Sequence, residues 1–283
     1  MKAADDRSKS LRCMEIWGGS EAFDNAISVT GLDAWIYSRP YRDERQGGDI
    51  YYVSTCGHSY ISRFAVADVS GHGEIVSALS DRLRQLMRKH INTLNQSRFV
   101  RALNKEFSQM ASGGKFATAI LTSYYAPTQD IIICNAGHPP PLWYRANIGQ
   151  WQFLTHEHPE RKNDASNLPL GIIEPTKYHQ FAVRLSKNDL VLIYSDSLIE
   201  SADPAGELLG PDGLLETARG LNPESPTRVK DELLRRVAAR QGSDQFEDDV
   251  TLLVLHHNAA APRRLSVGEF VAVIGKALRI VPV

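Results

Sequence analysis

The chain has 283 residues, 42% of them hydrophobic, and its 32 Lys plus Arg against 33 Asp plus Glu leave a formal net charge of -1. That is enough apolar length for a substantial core in one or two domains at about 150 residues each, and the balanced charge argues against a basic footprint for nucleic acid or anionic membrane. Cys13, Cys56 and Cys134 are odd in number, far apart and without C-x-x-C spacing, which argues against a disulfide framework or a zinc cluster and fits a reducing cytoplasm.

The opening MKAADDRSKS is polar, and neither a signal peptide nor an uninterrupted run of about 18 apolar residues follows, so a cytoplasmic protein is expected. Residues 1–29 read as a lead-in without assigned structure. From Leu32 the composition turns strand-like in LDAWIYSRPY, DIYYVSTCG and SYISRFAVADV. After Gly73, the residues Ile75, Leu79, Leu83, Leu86, Met87, Ile91 and Leu94 recur at helical spacing. A second amphipathic helix carries Phe99, Leu103, Phe107 and Met110, with Ser97 as the expected N-cap.

Strand composition returns in KFATAILTSYY and DIIICNAG, joined by a connection short enough for a hairpin, and LWYRA with QWQFL form another pair. Residues 155–167 are polar and read as an exposed loop. KYHQFAVRL and DLVLIYSDS are two more strands, 210–240 is helical by pattern, and DVTLLVLH closes the set. Residues 258–283 read as a tail that includes a short amphipathic helix, packed on the domain or at a homodimer contact. Strands in antiparallel runs, with helices grouped between them, predict an α+β fold with packed sheets.

Aspartates mark the ends of these strands. Asp49 follows Gly47 and Gly48 and opens one; Asp68 ends another; Asp196 ends the run LVLIYSD; Asp248 and Asp249 begin the last. Any one of them is explained by turn capping. If all four ends share one side of the sheets, the acids converge on a cleft where they could not all stay ionised without cations. Hard oxygen donors without a His or Cys cluster select Mg²⁺ or Mn²⁺, and two divalent ions balance four carboxylates. Gly71 and Gly73 permit a sharp turn after Asp68. The turn is no phosphate-binding P-loop, because G-x-x-x-x-G-K-[ST] is absent.

The segments GGDIYY, ADVSGHG, FATAIL, NAGHPPPL, LPLG, YSDSLIE and DDVTLLVL, in this order, resemble the metal-dependent protein phosphatase family, and more closely its bacterial branch typified by SpoIIE and RsbU. The resemblance covers 30–257. It implies an αββα sandwich, two antiparallel sheets flanked by helices, with a two-metal site at one edge. It assigns Asp68 as the acid bridging both metals and the Val69 carbonyl as a backbone ligand. Asp196 and Asp248 fall on the other metal, and Asp49 holds the second through water. The implied reaction is hydrolysis of phosphoserine or phosphothreonine by a water acidified by the two cations. The implied substrate is a phosphorylated anti-sigma-factor antagonist of the STAS type, with a further regulatory protein as a possible partner.

Tyr52 stands where the family often has a second acid, and Ser197 where glycine is common. These departures keep open a phosphatase-like binding module without turnover, and, as a third reading, a hydrolase of small phosphate esters. His72 and His138 are read as structural in preference to catalytic. Arg39, Arg42 and Arg45 lie just before Gly47 and could meet a substrate phosphate, although solvent exposure is the preferred reading.

Overall fold

The two-residue period of the strands decides the architecture. Along 61–69, Phe64 and Val66 enter one apolar cluster while Ala65, Ala67 and Val69 enter another, so this strand is covered on both faces. The computed structural model describes residues 9–10, 16–42, 44–56, 60–71, 73–91, 93–111, 113–155, 166–243 and 246–262. In chain order the elements are β1 (Lys9–Ser10), β2 (Ile16–Gly19), β3 (Phe23–Val29), β4 (Leu32–Arg39), β5 (Asp49–Cys56), β6 (Ile61–Val69), α1 (Glu74–His90) and α2 (Gln96–Met110). There follow β7 (Ala117–Tyr125), β8 (Asp130–Ala136), β9 (Leu142–Arg145), β10 (Gln150–Phe153), β11 (Gln180–Arg184), β12 (Leu190–Tyr194), α3 (Ser197–Glu200), α4 (Gly210–Arg219), α5 (Pro226–Gln241) and β13 (Val250–His257).

The strands form two sheets. One runs β1-β3-β4-β13-β12-β9-β10 and the other β11-β8-β7-β6-β5-β2. Their pairings are antiparallel apart from the two-residue β1–β3 contact. A central core that includes Ile36, Phe64, Val66, Ile120, Ile193 and Leu253 takes side chains from both sheets. Each such residue contributes about 1.5–3 kcal/mol by leaving water. A second core packs α1 and α2 on the β5–β8 sheet through Leu83, Met87, Leu103 and Phe107, and a third packs α4 and α5 on the other sheet through Leu214, Leu233 and Val237. The result is the expected αββα sandwich.

Four local expectations change. β2 and β3 come from the segment read as an unassigned lead-in, so the sheets extend N-terminally of residue 30; Asp24 and Asn25, on the exposed part of β3, hide its alternation. The cap of α2 is Asn95 and not Ser97: Asn95 is extended and its Oδ1 accepts from the Arg98 amide at 2.8 Å. The 210–240 helix is two helices, divided where Gly220, Pro223 and Pro226 interrupt the pattern. Ile75 is exposed, and α1 ends at His90 so that Leu94, also exposed, lies beyond it; the buried stripe of α1 is therefore shorter than the sequence pattern. The tail helix and most of the 155–167 loop lie outside the described residues, as does His72.

Candidate active site at the edge of the sandwich

Four strand ends meet. The β5–β6 register places Asp49 directly opposite Asp68. Across the sandwich, β12 ends at Tyr194 opposite Leu252 near the start of β13, and the Ser195 amide continues the ladder to the Thr251 carbonyl at 2.9 Å. Asp196 therefore follows one strand as Asp248 and Asp249 precede its neighbour. By strand parity, Asp49 lies on the face that carries Tyr51 and Val53, and Asp68 on the face that carries Phe64 and Val66, both toward the opposite sheet.

The acids lie within one electrostatic field. Burial pushes the Asp68 carboxyl up to about 8, with further contributions from Asp196, Asp248, Asp249 and Glu200. Asp196 is raised to about 6 by burial, then by Glu200 and Asp248. Asp49, 3% exposed, is raised well above the usual carboxylate range by burial, then by Asp68 and Asp249, and the Ser195 and Thr251 hydroxyls offset only part of this. Its Oδ2 is buried without a hydrogen-bond partner. Such an atom is costly in protein alone. Among the described residues, no three His, Cys, Asp or Glu side chains are already gathered into a finished ligand cage; the acids are close enough to couple and remain apart. An all-carboxylate set with an orphaned buried oxygen fits hard divalent cations such as Mg²⁺ or Mn²⁺.

The glycines of GGDIYY have a steric reason. Asp249, 8% exposed, accepts from the amides of Tyr41 at 2.6 Å, Gly48 and Asp49. A Cβ on Gly47 would lie 2.4 Å from that carboxylate, and one on Gly48 would lie 2.8 Å from the Val69 carbonyl oxygen. The Gly48 carbonyl accepts from the Val69 amide at 3.3 Å and from Ser80 Oγ at 3.0 Å, tying the loop to β6 and α1. After Val69 the chain turns at Gly71, with φ of 95°, where Lys115 Nζ donates to the Ser70 carbonyl at 2.9 Å. Asp248 accepts from the Asp249 amide at 2.8 Å.

Of the residues singled out from sequence, Asp49, Asp68, Asp196 and Asp248 come together, with Val69 at the same edge. Tyr52 does not join them. It is 2% exposed in the core beneath α1, on the opposite face of β5 from Asp49, so it does not occupy a place facing the acids. Ser197 begins α3 without a left-handed backbone, and its hydroxyl meets Ser195 Oγ at 3.1 Å. His138 is buried, with Nδ1 2.9 Å from Thr118 Oγ1 and its amide donating to Asn135 Oδ1 at 2.8 Å; burial pushes its pKa down to about 3. Its Nε2 is buried without a hydrogen-bond partner among the described residues. Arg39, Arg42 and Arg45 are exposed. Two acids were missed as members of the site. Asp249 clamps the Gly47–Gly48 loop, and Glu200 stands one helical turn after Asp196, a spacing visible in YSDSLIE.

The family model described as Stage II sporulation protein E (SpoIIE) matches residues 62–258. The chain is 26% identical over 228 residues to the phosphoserine phosphatase RsbU of Bacillus subtilis (strain 168), covering 79% of this chain and 63% of that protein. It is 23% identical over 215 residues to the phosphoserine phosphatase RsbP of the same organism, covering 74% of this chain and 48% of that protein. The chain therefore spans less than two thirds of the length of these curated relatives. Among solved structures, the RsbU and RsbW domains of a Mycobacterium tuberculosis protein superpose with a TM-score of 0.68 at 23% identity, covering 89% of this chain and 70% of that one. The PP2C phosphatase domain of SpoIIE from Bacillus subtilis, solved with a fragment of its regulatory domain, gives 0.64 at 19% identity over 87% and 64%. At these identities the structures share the fold. Asp49 precedes the stretch matched by the family model, so its place rests on the β5–β6 register.

Proposed function

The chain belongs to the SpoIIE family, and from that premise we propose that it is a metal-dependent protein serine/threonine phosphatase. The observation that carries the reading is the convergence of Asp49, Asp68, Asp196 and Asp248, with Asp249 and Glu200, on one edge of the sandwich, where Asp68 is pushed up to about 8. In this reading Asp49, Asp68, the Val69 carbonyl, Asp196 and Asp248 hold two Mn²⁺ or Mg²⁺ ions. When bound, those cations supply an acidified water for in-line attack on phosphorus and neutralise the phosphoryl oxygens.

The chain's own groups prepare that site. Asp68 faces the acids of both sheets. The Asp249 carboxylate holds the backbone of Gly48 and Asp49, fixing the approach of β5 to β6. Glu200 adds negative charge beside Asp196 and Asp68, which favours cation binding at the cost of strain in the metal-free protein. The binding-module alternative draws on Tyr52 and Ser197. Neither disturbs the acid set, since one faces the helix layer and the other takes ordinary helical backbone, and so turnover is favoured.

The proposed substrate is a phosphoserine or phosphothreonine protein, with a STAS-type anti-sigma-factor antagonist as the first candidate. Two relatives are named phosphoserine phosphatases, and one structural neighbour joins an RsbU domain to an RsbW domain. The test is phosphate release from a phosphorylated STAS protein and from a small aryl phosphate, with Mn²⁺, Mg²⁺ or chelator, beside Asp68→Ala. Metal-dependent release from the phosphoprotein that vanishes in the variant is expected. Equal release by Asp68→Ala, or none from folded protein at saturating metal, would overturn the reading.

A further inference from the structure

The β6–β7 register sets Thr118 directly opposite Asp68. Side chains paired across an antiparallel ladder share a face, with Cβ atoms about 4.5–5.5 Å apart. Thr118 therefore stands beside Asp68 on the face turned to the opposite sheet, the face from which Ile120 and Tyr124 of the same strand enter the central core. Thr118 and Asp68 are both half-buried, so both reach solvent at the acid edge.

Behind Thr118 stands His138, 5% exposed, with Nδ1 2.9 Å from Thr118 Oγ1. Its own turn aims the ring: Asn135 Oδ1 accepts from the His138 amide and Asn135 Nδ2 donates to the His138 carbonyl, each at 2.8 Å. Gly137, with φ of 70°, packs so closely that a Cβ there would lie 2.4 Å from Pro169. Burial keeps the ring neutral, and the carbonyl of Tyr194, at the end of β12 in the other sheet, acts on it as an acceptor. Since Nδ1 is engaged with Thr118, Nε2 is the nitrogen that meets this carbonyl, short of a hydrogen bond of good geometry. A carbonyl favours an N–H over a lone pair, which assigns the ring proton to Nε2 and leaves Nδ1 as acceptor. Thr118 then gives its only hydrogen to His138, and what it offers the acid edge is lone pairs.

We propose that Thr118 is a further contact of the acid site, a neutral acceptor for the water shell of the cation held by Asp68, and that His138 is the positioning residue that fixes it so. The inference rests on the metal-dependent reading above. A hydroxyl whose hydrogen is taken cannot donate to a phosphoryl oxygen, nor to Asp68, whose oxygens stay open to a cation. It can accept, and a cation-bound water, with its acidified protons, is the donor such an edge supplies. The pair adds this acceptor without adding charge to an edge where Asp196, Asp248, Asp249 and Glu200 already act on Asp68.

The test is Mn²⁺ titration calorimetry on the full chain, stripped with chelator and then freed of it. Thr118→Val keeps the shape and removes the hydroxyl. It leaves Nδ1 unpaired and so loses stability, as a purely structural pair also would; the discriminating readout is the Mn²⁺ affinity of the folded variant. One of its two ions should bind about tenfold more weakly, and Thr118→Ser should recover most of that loss. His138→Leu should weaken Mn²⁺ to the same degree in the wild-type background and not at all in Thr118→Val, because it acts only through the threonine. Where the leucine variant does not fold, Thr118→Val and Thr118→Ser decide alone. Wild-type affinity in Thr118→Val, a loss that serine does not recover, or a His138→Leu loss undiminished in Thr118→Val would overturn the proposal and leave the two-cation reading standing. Wild type that binds no Mn²⁺ would overturn both.

Discussion

Replacing Asp68 with asparagine should stabilise the metal-free protein while weakening its hold on metal. The native carboxyl is raised from 3.8 to about 8 by burial and by its acidic neighbours. A folded-state value above the unfolded one means that the native chain holds a proton the unfolded chain has released. That contribution is fully present below pH 3.8 and is lost as pH rises through about 8. Each pH unit in the window is worth about 1.4 kcal/mol, so the span sets an upper bound of about 6 kcal/mol, reduced because coupled acids share the proton. Asp196, raised to about 6, acts with the same sign. Urea denaturation in chelator at pH 5 and pH 8 should therefore find wild type weaker at pH 8, and Asp68→Asn stronger than wild type at pH 8 by a few kcal/mol, with a flatter pH dependence. Excess Mn²⁺ should cancel the wild-type loss and stabilise the variant less than wild type. A metal-free wild type as stable at pH 8 as at pH 5, or an asparagine variant with an unchanged slope, would refute the argument that these acids share one buried field.

Other substitutions separate support from chemistry. Gly47→Ala puts a Cβ 2.4 Å from the Asp249 carboxylate; it should cost about 1–3 kcal/mol in chemical denaturation and lower phosphatase activity together with stability. Tyr52→Asp should restore no ligand, because position 52 faces the helix core; it should destabilise by about 3–5 kcal/mol as a buried charge, without raising metal affinity in titration calorimetry. Ser197→Gly should give no gain in turnover, since residue 197 needs no left-handed backbone, and a stability loss of about 1 kcal/mol from glycine in α3.

The acids were legible because each stands at the edge of an apolar, β-branched run. Their meeting was legible only through the family resemblance and not from the local pattern, because it depends on pairings distant in sequence: Asp49 with Asp68, and the crossing of β12 beside β13. Tyr52 was readable in principle, since a two-residue period puts positions 49 and 52 on opposite faces. The adjacent Asp248 and Asp249 differ in role by what each reaches: Asp249 accepts from three backbone amides of the facing loop, which no local pattern reveals. The division of α4 from α5 was signalled by Gly220 and Pro226, but helical periodicity on both sides obscured it. Asn95 and Ser97 are both good caps, and only backbone geometry selects the first.

The most direct test of the two-cation edge is isothermal titration of the chelator-treated protein with Mn²⁺, on wild type, Asp68→Asn and Asp196→Asn. Two ions per chain for wild type are predicted, with both affinities weakened by Asp68→Asn and one by Asp196→Asn. Wild type that binds no Mn²⁺, or binds it equally well after Asp68→Asn, would contradict the account.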